Sequence, residues 1–365
     1  MKHLLFILSF LSTYFNSQII KDTVLGKPKF VKEYVVFLNE SSPFTFMTND
    51  SEYGHAVIMT PDNLRKRMRD TWFETDFCRD INNETYYDKK RNIINEIWYY
   101  RSGKIVDDYN YTYDRLNRLT SQSSKGYSER TYLYFYDGNN KTAKFSELYY
   151  KGKDEPMEKY TNNLESFKPL YTTKFDSITK TDSIFAITND IWKKVEKGYT
   201  MVKDSVYRKK LSQVKIYNNQ YKVIESKAFN YTTDFENKEV YLSEHFKYDY
   251  DELGNLIKRT NIEHGKYHNY GRTYYTVYTY TKDQKLEKET IYRNDKVWFE
   301  TRFEYNGNYI TKLYYLDKFG VEDKEVEPVT ITFKYTFDKD KNWIKIIKNV
   351  DGKDLYKWIR KIEYY

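Results

Sequence analysis

The amino-acid sequence predicts an all-β protein, a curved antiparallel sheet of stacked β-hairpins with a short N-terminal helix as its cap. Composition points there first. Of 365 residues, 41 are tyrosine, 22 phenylalanine and six tryptophan, so aromatics, at 19%, supply about half of a 39% hydrophobic total. Few aliphatics remain to fill helix interfaces. Tyrosine, with its apolar ring and wet hydroxyl, suits a half-buried pleated surface. The second observation is a recurring phrase: aromatic-x-aromatic-Asp or Asn, followed shortly by Gly or Asn and then an apolar residue. The third is the low count of 13 glycines and six prolines, which excludes collagen-like and disordered classes.

Residues 1–17 have the pattern of a signal peptide. Met1-Lys2-His3 is a basic start, Leu4 to Phe15 an apolar run, and Asn16, Ser17 and Gln18 a polar exit. Cleavage after Ser17 would leave a mature chain beginning near Gln18, exported to the periplasm or beyond the cell. The run is too short for a membrane span, which needs about 20 apolar residues, and no later segment reaches that length. No cysteine stands at the exit, so the expectation is a protein without a lipid anchor. Cys78 is the single cysteine, which excludes an intramolecular disulfide and predicts a buried, inert thiol.

Residues 18–80 are expected to form an N-terminal cap region. Thr60 reads as an N-cap with Pro61 in the first turn, and Leu64, Met68 and Trp72 fall on one face. That predicts a helix near 61–73, covering the exposed edge of the first repeat. Residues 81–150 and 213–365 carry the repeats. Between them, 151–212 breaks the phase with Asp154-Glu155-Pro156 and a Ser/Thr-rich stretch from Thr179 to Ser183. It reads as an irregular insertion with some strands.

Each repeat has a physical reading. Tyr-x-Tyr places two rings on one face of a strand, because side chains alternate with period two. The Asp then opens a turn by accepting backbone amides, and the Gly or Asn beyond it supplies a left-handed residue. The structural turn positions so identified are Asp114, Asn117, Asp137, Gly138, Asp251, Gly254, Asn306, Gly307 and Asp338. Return turns follow at Gly103, Gly126, Gly265, Asn294-Asp295 and Asp351-Gly352.

Tyr113-Asp114-Arg115-Leu116-Asn117-Arg118-Leu119-Thr120 and Tyr250-Asp251-Glu252-Leu253-Gly254-Asn255-Leu256 resemble the YD repeat of the Rhs family, in its short exported form. The resemblance implies a long antiparallel strip of hairpins whose repeats carry no catalysis. The copies here are too few, on that comparison, to close a large shell. The proline- and aspartate-rich self-cleavage segment of long Rhs shells is missing from the sequence.

Catalytic signatures are absent from the sequence. There is no Gly-x-Ser-x-Gly, no phosphate-cradling loop and no Cys/His pairing, so the expectation is a protein that is not an enzyme and holds no cofactor. His264 and His268 would share a helix face, but their strand context separates them by about 13 Å, so no metal site is expected. Asp338-Lys339-Asp340-Lys341-Asn342 opens like a calcium loop, then places Trp343 at the turn glycine and Asn349 at the closing glutamate. Net charge is +8, spread through mixed-sign strands such as Lys285-Leu286-Glu287-Lys288-Glu289. A nucleic-acid footprint would cluster one sign, so no nucleic-acid partner is expected. Trp98, Trp298 and Trp343 are candidates for stacking on a ligand, with packing inside the sheet as the alternative. The leading reading is a non-catalytic cell-envelope or extracellular module that binds protein or glycan. The rivals are a degenerate hydrolase, and a structural or immunity-like partner of a longer Rhs protein.

Overall fold

In a computed structural model the described residues are 24–38, 46–47, 73, 78–79, 81–126, 129–137, 140–149, 168–195, 198–231, 240–262, 274–321 and 324–365. The period-two pattern forms strands throughout. They are β1 (Pro28–Phe37), β2 (Phe46–Met47), β3 (Cys78–Arg79), β4 (Asn82–Tyr87), β5 (Ile93–Tyr99), β6 (Ile105–Tyr113) and β7 (Leu119–Gly126). Next come β8 (Glu129–Asp137), β9 (Asn140–Tyr149), β10 (Lys168–Asp176), β11 (Thr181–Val195), β12 (Gly198–Tyr217), β13 (Val223–Tyr231) and β14 (Val240–Tyr250). The remainder are β15 (Leu256–Asn261), β16 (Tyr274–Tyr280), β17 (Leu286–Arg293), β18 (Lys296–Asn306), β19 (Tyr309–Asp317), β20 (Val329–Phe337), β21 (Trp343–Val350) and β22 (Lys353–Tyr364).

From β4 to β22 every strand pairs antiparallel with the next, including β9 with β10 across the gap in the repeats. Nineteen strands is an odd number, so β4 and β22 run in the same direction and cannot close an antiparallel ladder on each other. The N-terminal strand resolves this. β1 pairs antiparallel with β22 on one side and with β4 on the other. The result is a 20-stranded sheet whose hydrogen bonding returns to its start. Closure removes both edges, and with them the exposed amides and carbonyls that an open sheet presents.

The sheet closes because strands between the recognisable phrases also join the ladder. Two sequence expectations are corrected here. The first repeat's edge, expected to lie under a helix, is paired with β1. A strand satisfies the ladder donors of β4 directly, which a packed helix cannot. The helix expected near 61–73 lies outside the described residues except for Phe73, whose ring is buried 4.7 Å from Phe333. Second, 151–212 is no irregular insertion over its described part, since β10, β11 and most of β12 continue the meander. Thr181, Ile184, Ile187, Thr188, Ile191 and Val195 are β-branched, which favours extended backbone even where the aromatic phrase is lost.

Cross-strand register separates two faces. Val31, Glu33 and Val35 of β1 stand opposite Ile362, Arg360 and Trp358 of β22. Together with Trp98, Tyr109, Ile310, Leu313, Ile331 and Tyr356 they form the buried side of the sheet. The other face carries Lys32, Tyr34, Glu84, Lys345, Lys357 and Lys361, a polar wall suited to water.

Because successive strands alternate in direction, their connections fall on two rims. One rim is regular. Five-residue turns recur at 88–92, 114–118, 218–222, 251–255, 281–285 and 338–342, each closed by the same pair of backbone bonds. Their fourth residues, Arg91, Asn117, Tyr221, Gly254, Gln284 and Lys341, all have positive φ. Gly or Asn is therefore not required, contrary to the sequence expectation. The recurrent element is the first residue. Asp88, Asp114, Asn218 and Asp338 each accept two amides of their own turn through Oδ1. That cap holds a left-handed residue of almost any type. The copy at Asn218 has no aspartate, and the aromatic phrase did not reveal it. Among the other positions, Gly307 has φ +56° in the β18–β19 turn, while Gly138 and Gly265 lie outside the described residues and Gly126 ends β7.

Gly254 is the strictest of these positions. Its φ is +83°, and a Cβ there would run into the end of Lys222, whose ammonium donates to the Gly254 carbonyl. Gly254→Val is expected to cost about 1–3 kcal/mol, from a β-branched residue in a left-handed conformation. Gly254→Asn should cost well under half of that. Urea melts of the two variants test it, and equal stability of Gly254→Val and wild type would refute it.

The opposite rim is irregular. Asn294-Asp295 and Asp351-Gly352 make two-residue turns with positive φ at both positions, the geometry that matches strand twist. Other connections on this rim, such as 150–167, 232–239 and 318–328, differ widely in length.

Candidate functional site

The regular rim is held by tyrosine hydroxyls. Tyr113 donates to the Ile93 carbonyl at 2.8 Å, Tyr250 to Val223 at 2.9 Å, and Tyr280 to Leu256 at 2.9 Å. Tyr305 donates to Leu286 at 2.8 Å and Tyr335 to Ile310 at 2.7 Å. In each case the phenol reaches the strand that follows the previous turn of the series. Burial pushes the Tyr280 phenol up to about 12 and raises that of Tyr250 as well, so both remain donors at neutral pH. Direct contacts between turns reinforce the series. Asn92 and Asn117 exchange side-chain amide bonds, and Lys285 donates to the Gly307 carbonyl. At the seam, Tyr364 donates to Asp338 Oδ2 at 2.9 Å, and Asn342 bonds both Leu25 and Tyr364. Composition had signalled tyrosine rings; the hydroxyls' role was not legible in it.

The turn aspartates serve this rim as well. Bonds from backbone amides, led by that of Arg118, hold the Asp114 carboxyl below its usual range. Burial works to raise Asp251 and Asp338, but bonds from their own turns outweigh it and lower both. Asp338 thus spends its oxygens on Asp340, Asn342 and Tyr364, as a turn cap. Asp137 pairs with Asn140 at the end of the β8–β9 hairpin. Asn306 pairs with Tyr309 across the turn that holds Gly307.

The three tryptophans separate. Trp98 is 1% exposed, opposite Asn83 and Asp107 on the buried face. Trp343 is also buried, with the Arg360 guanidinium 3.6 Å above its ring and Trp358 edge-on at 5.0 Å. Both pack inside the sheet, so neither is open to a ligand. The arginine over Trp343 is paired with Glu33 at 2.6 and 2.9 Å, and both side chains are buried. This pair crosses the β1–β22 seam.

Trp298 is different. It lies half-buried on the irregular rim, at the start of β18. Phe319 stacks on it, with ring centres 5.7 Å apart and planes at 29°, and is itself 64% exposed. The Arg293 guanidinium lies 5.0 Å from the indole centre, and Phe299 packs at 4.8 Å. The indole N–H has no acceptor among the described residues. The exposed Phe319 ring, backed by the indole with the Arg293 guanidinium over it, makes a stacking platform. Phe319 and Arg293 carried no repeat or motif signal in the sequence.

A groove opens on the same rim, around the end of β1. It has a volume of about 530 Å³ and is lined by Lys32, Tyr34, Val35, Val36, Phe37, Asn82, Arg101 and Lys361. Of the histidines, His245 is buried and bonded to Glu225 at 2.6 Å, while His55, His264 and His268 lie outside the described residues. No cluster of three metal-ligating side chains occurs among the described residues, and no described helix is long and apolar enough to cross a membrane.

These features define a closed antiparallel β-sheet with one stitched rim and one irregular rim that bears an aromatic platform. Comparison adds little to this class. No family model matches the chain, and no curated protein matches it. Among solved structures, a porin-like protein from Bacteroides uniformis aligns at 8% identity over 92% of this chain and 98% of that one, with a TM-score of 0.23. A TcdB2–TccC3 structure aligns at 9% identity over 76% of this chain and 19% of that chain, with a TM-score of 0.22. Superpositions this loose do not specify a shared architecture.

Proposed function

We propose that the protein is an exported, non-catalytic binding module that holds glycans on its irregular rim. The observation that carries this reading is the Trp298–Phe319 platform with Arg293 at its side. Apolar faces of sugar rings stack on such surfaces, and a guanidinium can bond their hydroxyls. The setting supports it. A scaffold without sheet edges, stitched on one rim, leaves the other free to vary, which is where binding loops concentrate. The basic start and apolar run of residues 1–17 support export.

Native affinity electrophoresis tests it, in gels containing galactomannan, mixed-linkage β-glucan or polygalacturonate. At least one polysaccharide should retard the protein. Trp298→Ala and Phe319→Ala should each weaken that retardation about tenfold, consistent with about 1–2 kcal/mol for a lost stacking ring. Unretarded migration in every gel would overturn the proposal, as would variants that bind like wild type.

A further inference from the structure

The polar wall is not uniform in charge. In several places its cations stand beside carboxylates: Lys32 donates to Glu84 at 2.8 Å, Arg302 donates to Glu300 at 2.7 Å, and Lys312 lies 4.0 Å from Glu304. The stretch from β20 to β22 departs from this. Lys334 of β20 stands opposite Ile347 of β21, which in turn faces Lys357 of β22. Lys345 of β21 stands opposite Ile359 of β22, and Lys361 follows Ile359 by two on the same face. Lys345 is thus the diagonal neighbour of Lys334, Lys357 and Lys361, with about 7–8 Å between strand positions in each case. None of the four has an ion-pair partner among the described residues. Lys361 lies with its ammonium 5.7 Å from the Tyr34 ring centre and faces Lys32, whose charge Glu84 answers. Charges of one sign at that spacing repel, and no carboxylate stands inside the cluster. Glu363 lies two residues beyond Lys361, and Asp354, at the other end, accepts from Asn349 at 2.8 Å. Ile347, Ile359, Tyr34 and Val36 share this face, and Val36 is 39% exposed. Lysine stems lie along such side chains while their ammonium groups reach outward.

We infer that this face, over β20, β21, β22 and β1, docks the protein on a membrane surface rich in anionic lipid headgroups. Headgroup phosphates would answer the four ammonium groups and relieve their mutual repulsion. The aliphatic side chains and Tyr34 would rest at the headgroup boundary, where an apolar body with a polar tip is favoured. The geometry selects a surface over a small ligand. The lysines are spread across three neighbouring strands of one open face, so a single phosphate or sugar acid would reach one or two of them. A lipid surface meets all four at once. The inference goes beyond glycan binding at Trp298 and does not depend on it.

The test is co-sedimentation of the purified protein with vesicles, made of equal parts phosphatidylglycerol and phosphatidylcholine or of phosphatidylcholine alone. Wild type should bind the anionic vesicles at least about tenfold more tightly, since each lysine near such a surface strengthens adsorption about fivefold. That preference should shrink as salt rises, because exposed charges are screened beyond about 10 Å at 0.1 M. The double variant Lys345→Gln, Lys357→Gln should keep the wild-type melting temperature and bind the anionic vesicles about 25-fold more weakly. Lys282→Gln with Lys339→Gln removes the same charge from exposed turns of the regular rim and should bind like wild type. Equal binding to both vesicle types, binding to neither, or equal losses in the two double variants would overturn the inference. Absence of vesicle binding beside a retardation by polygalacturonate that needs Lys345 and Lys357 would overturn it in favour of an acidic glycan on this face.

Discussion

Glu33→Ala is expected to destabilise the protein by about 3–5 kcal/mol, the cost of leaving a buried charge without its counter-ion. Arg360 lies under the sheet with its guanidinium bonded twice to the Glu33 carboxylate and pressed over Trp343. Both side chains are almost completely shielded, so bulk solvent does not reach the guanidinium to replace the lost acceptor. The position matters as much as the burial. β1 is the strand that closes the ring, and Glu33 faces Arg360 on one side and Asn83 on the other. The loss should therefore appear as opening at the seam, read by faster hydrogen exchange in β1 and β22 before global unfolding. A Glu33→Leu, Arg360→Met double variant removes both charges and should recover most of the stability, since a buried ion pair is often replaceable by apolar groups of similar volume. A single variant within 1 kcal/mol of wild type in urea, or a double variant no better than the single, would show that the pair does not hold the seam.

Replacing Tyr250, Tyr280 and Tyr305 together by phenylalanine is expected to cost about 3 kcal/mol. Each change keeps the ring and deletes one hydroxyl that bonds the neighbouring repeat. A net hydrogen bond contributes about 0.5–1.5 kcal/mol, and a stranded carbonyl costs somewhat more. Burial raises all three phenols, Tyr305 most among them, so the hydroxyls are shielded and water cannot readily substitute. Tyr221→Phe is the control. Its ring is 54% exposed at a turn tip, and its loss should stay within about 0.5 kcal/mol. Denaturant midpoints decide the matter: a triple variant as stable as Tyr221→Phe would mean that rings alone, and not hydroxyls, join the repeats.

Much of the local structure was legible before any coordinates. Asp114, Asp251 and Asp338 were identified as turn residues because a carboxylate one position past an aromatic pair can reach its own turn amides, and they do so here. The left-handed fourth position was overspecified. Arg91, Tyr221, Gln284 and Lys341 occupy it without glycine, since the cap beneath supplies enough bonding to hold a conformation that propensity alone disfavours. The continuation of the meander through β11 and β12 was hidden for the complementary reason: those strands are built on β-branched and charged residues, without the Tyr-Asp phrase. Of the candidate site, Trp298 was named among three tryptophans, but only packing separated it from Trp98 and Trp343.

By itself the sequence determined the strands and turn caps of the recognisable repeats, and the reversal of the chain at each of those hairpins, because these depend on neighbours a few residues away. Closure was decided only in three dimensions. It depends on parity: nineteen consecutive strands leave two ends pointing the same way, and one more strand, over 300 residues from its β22 partner in the chain, must fit between them. The pairing of Glu33 with Arg360, the facing of Lys32 and Lys361, and the stacking of Trp298 with Phe319 all follow from register across strands or rims. No local pattern encodes such register, so, Trp298 apart, the residues that build the groove and the platform carried no mark in the sequence.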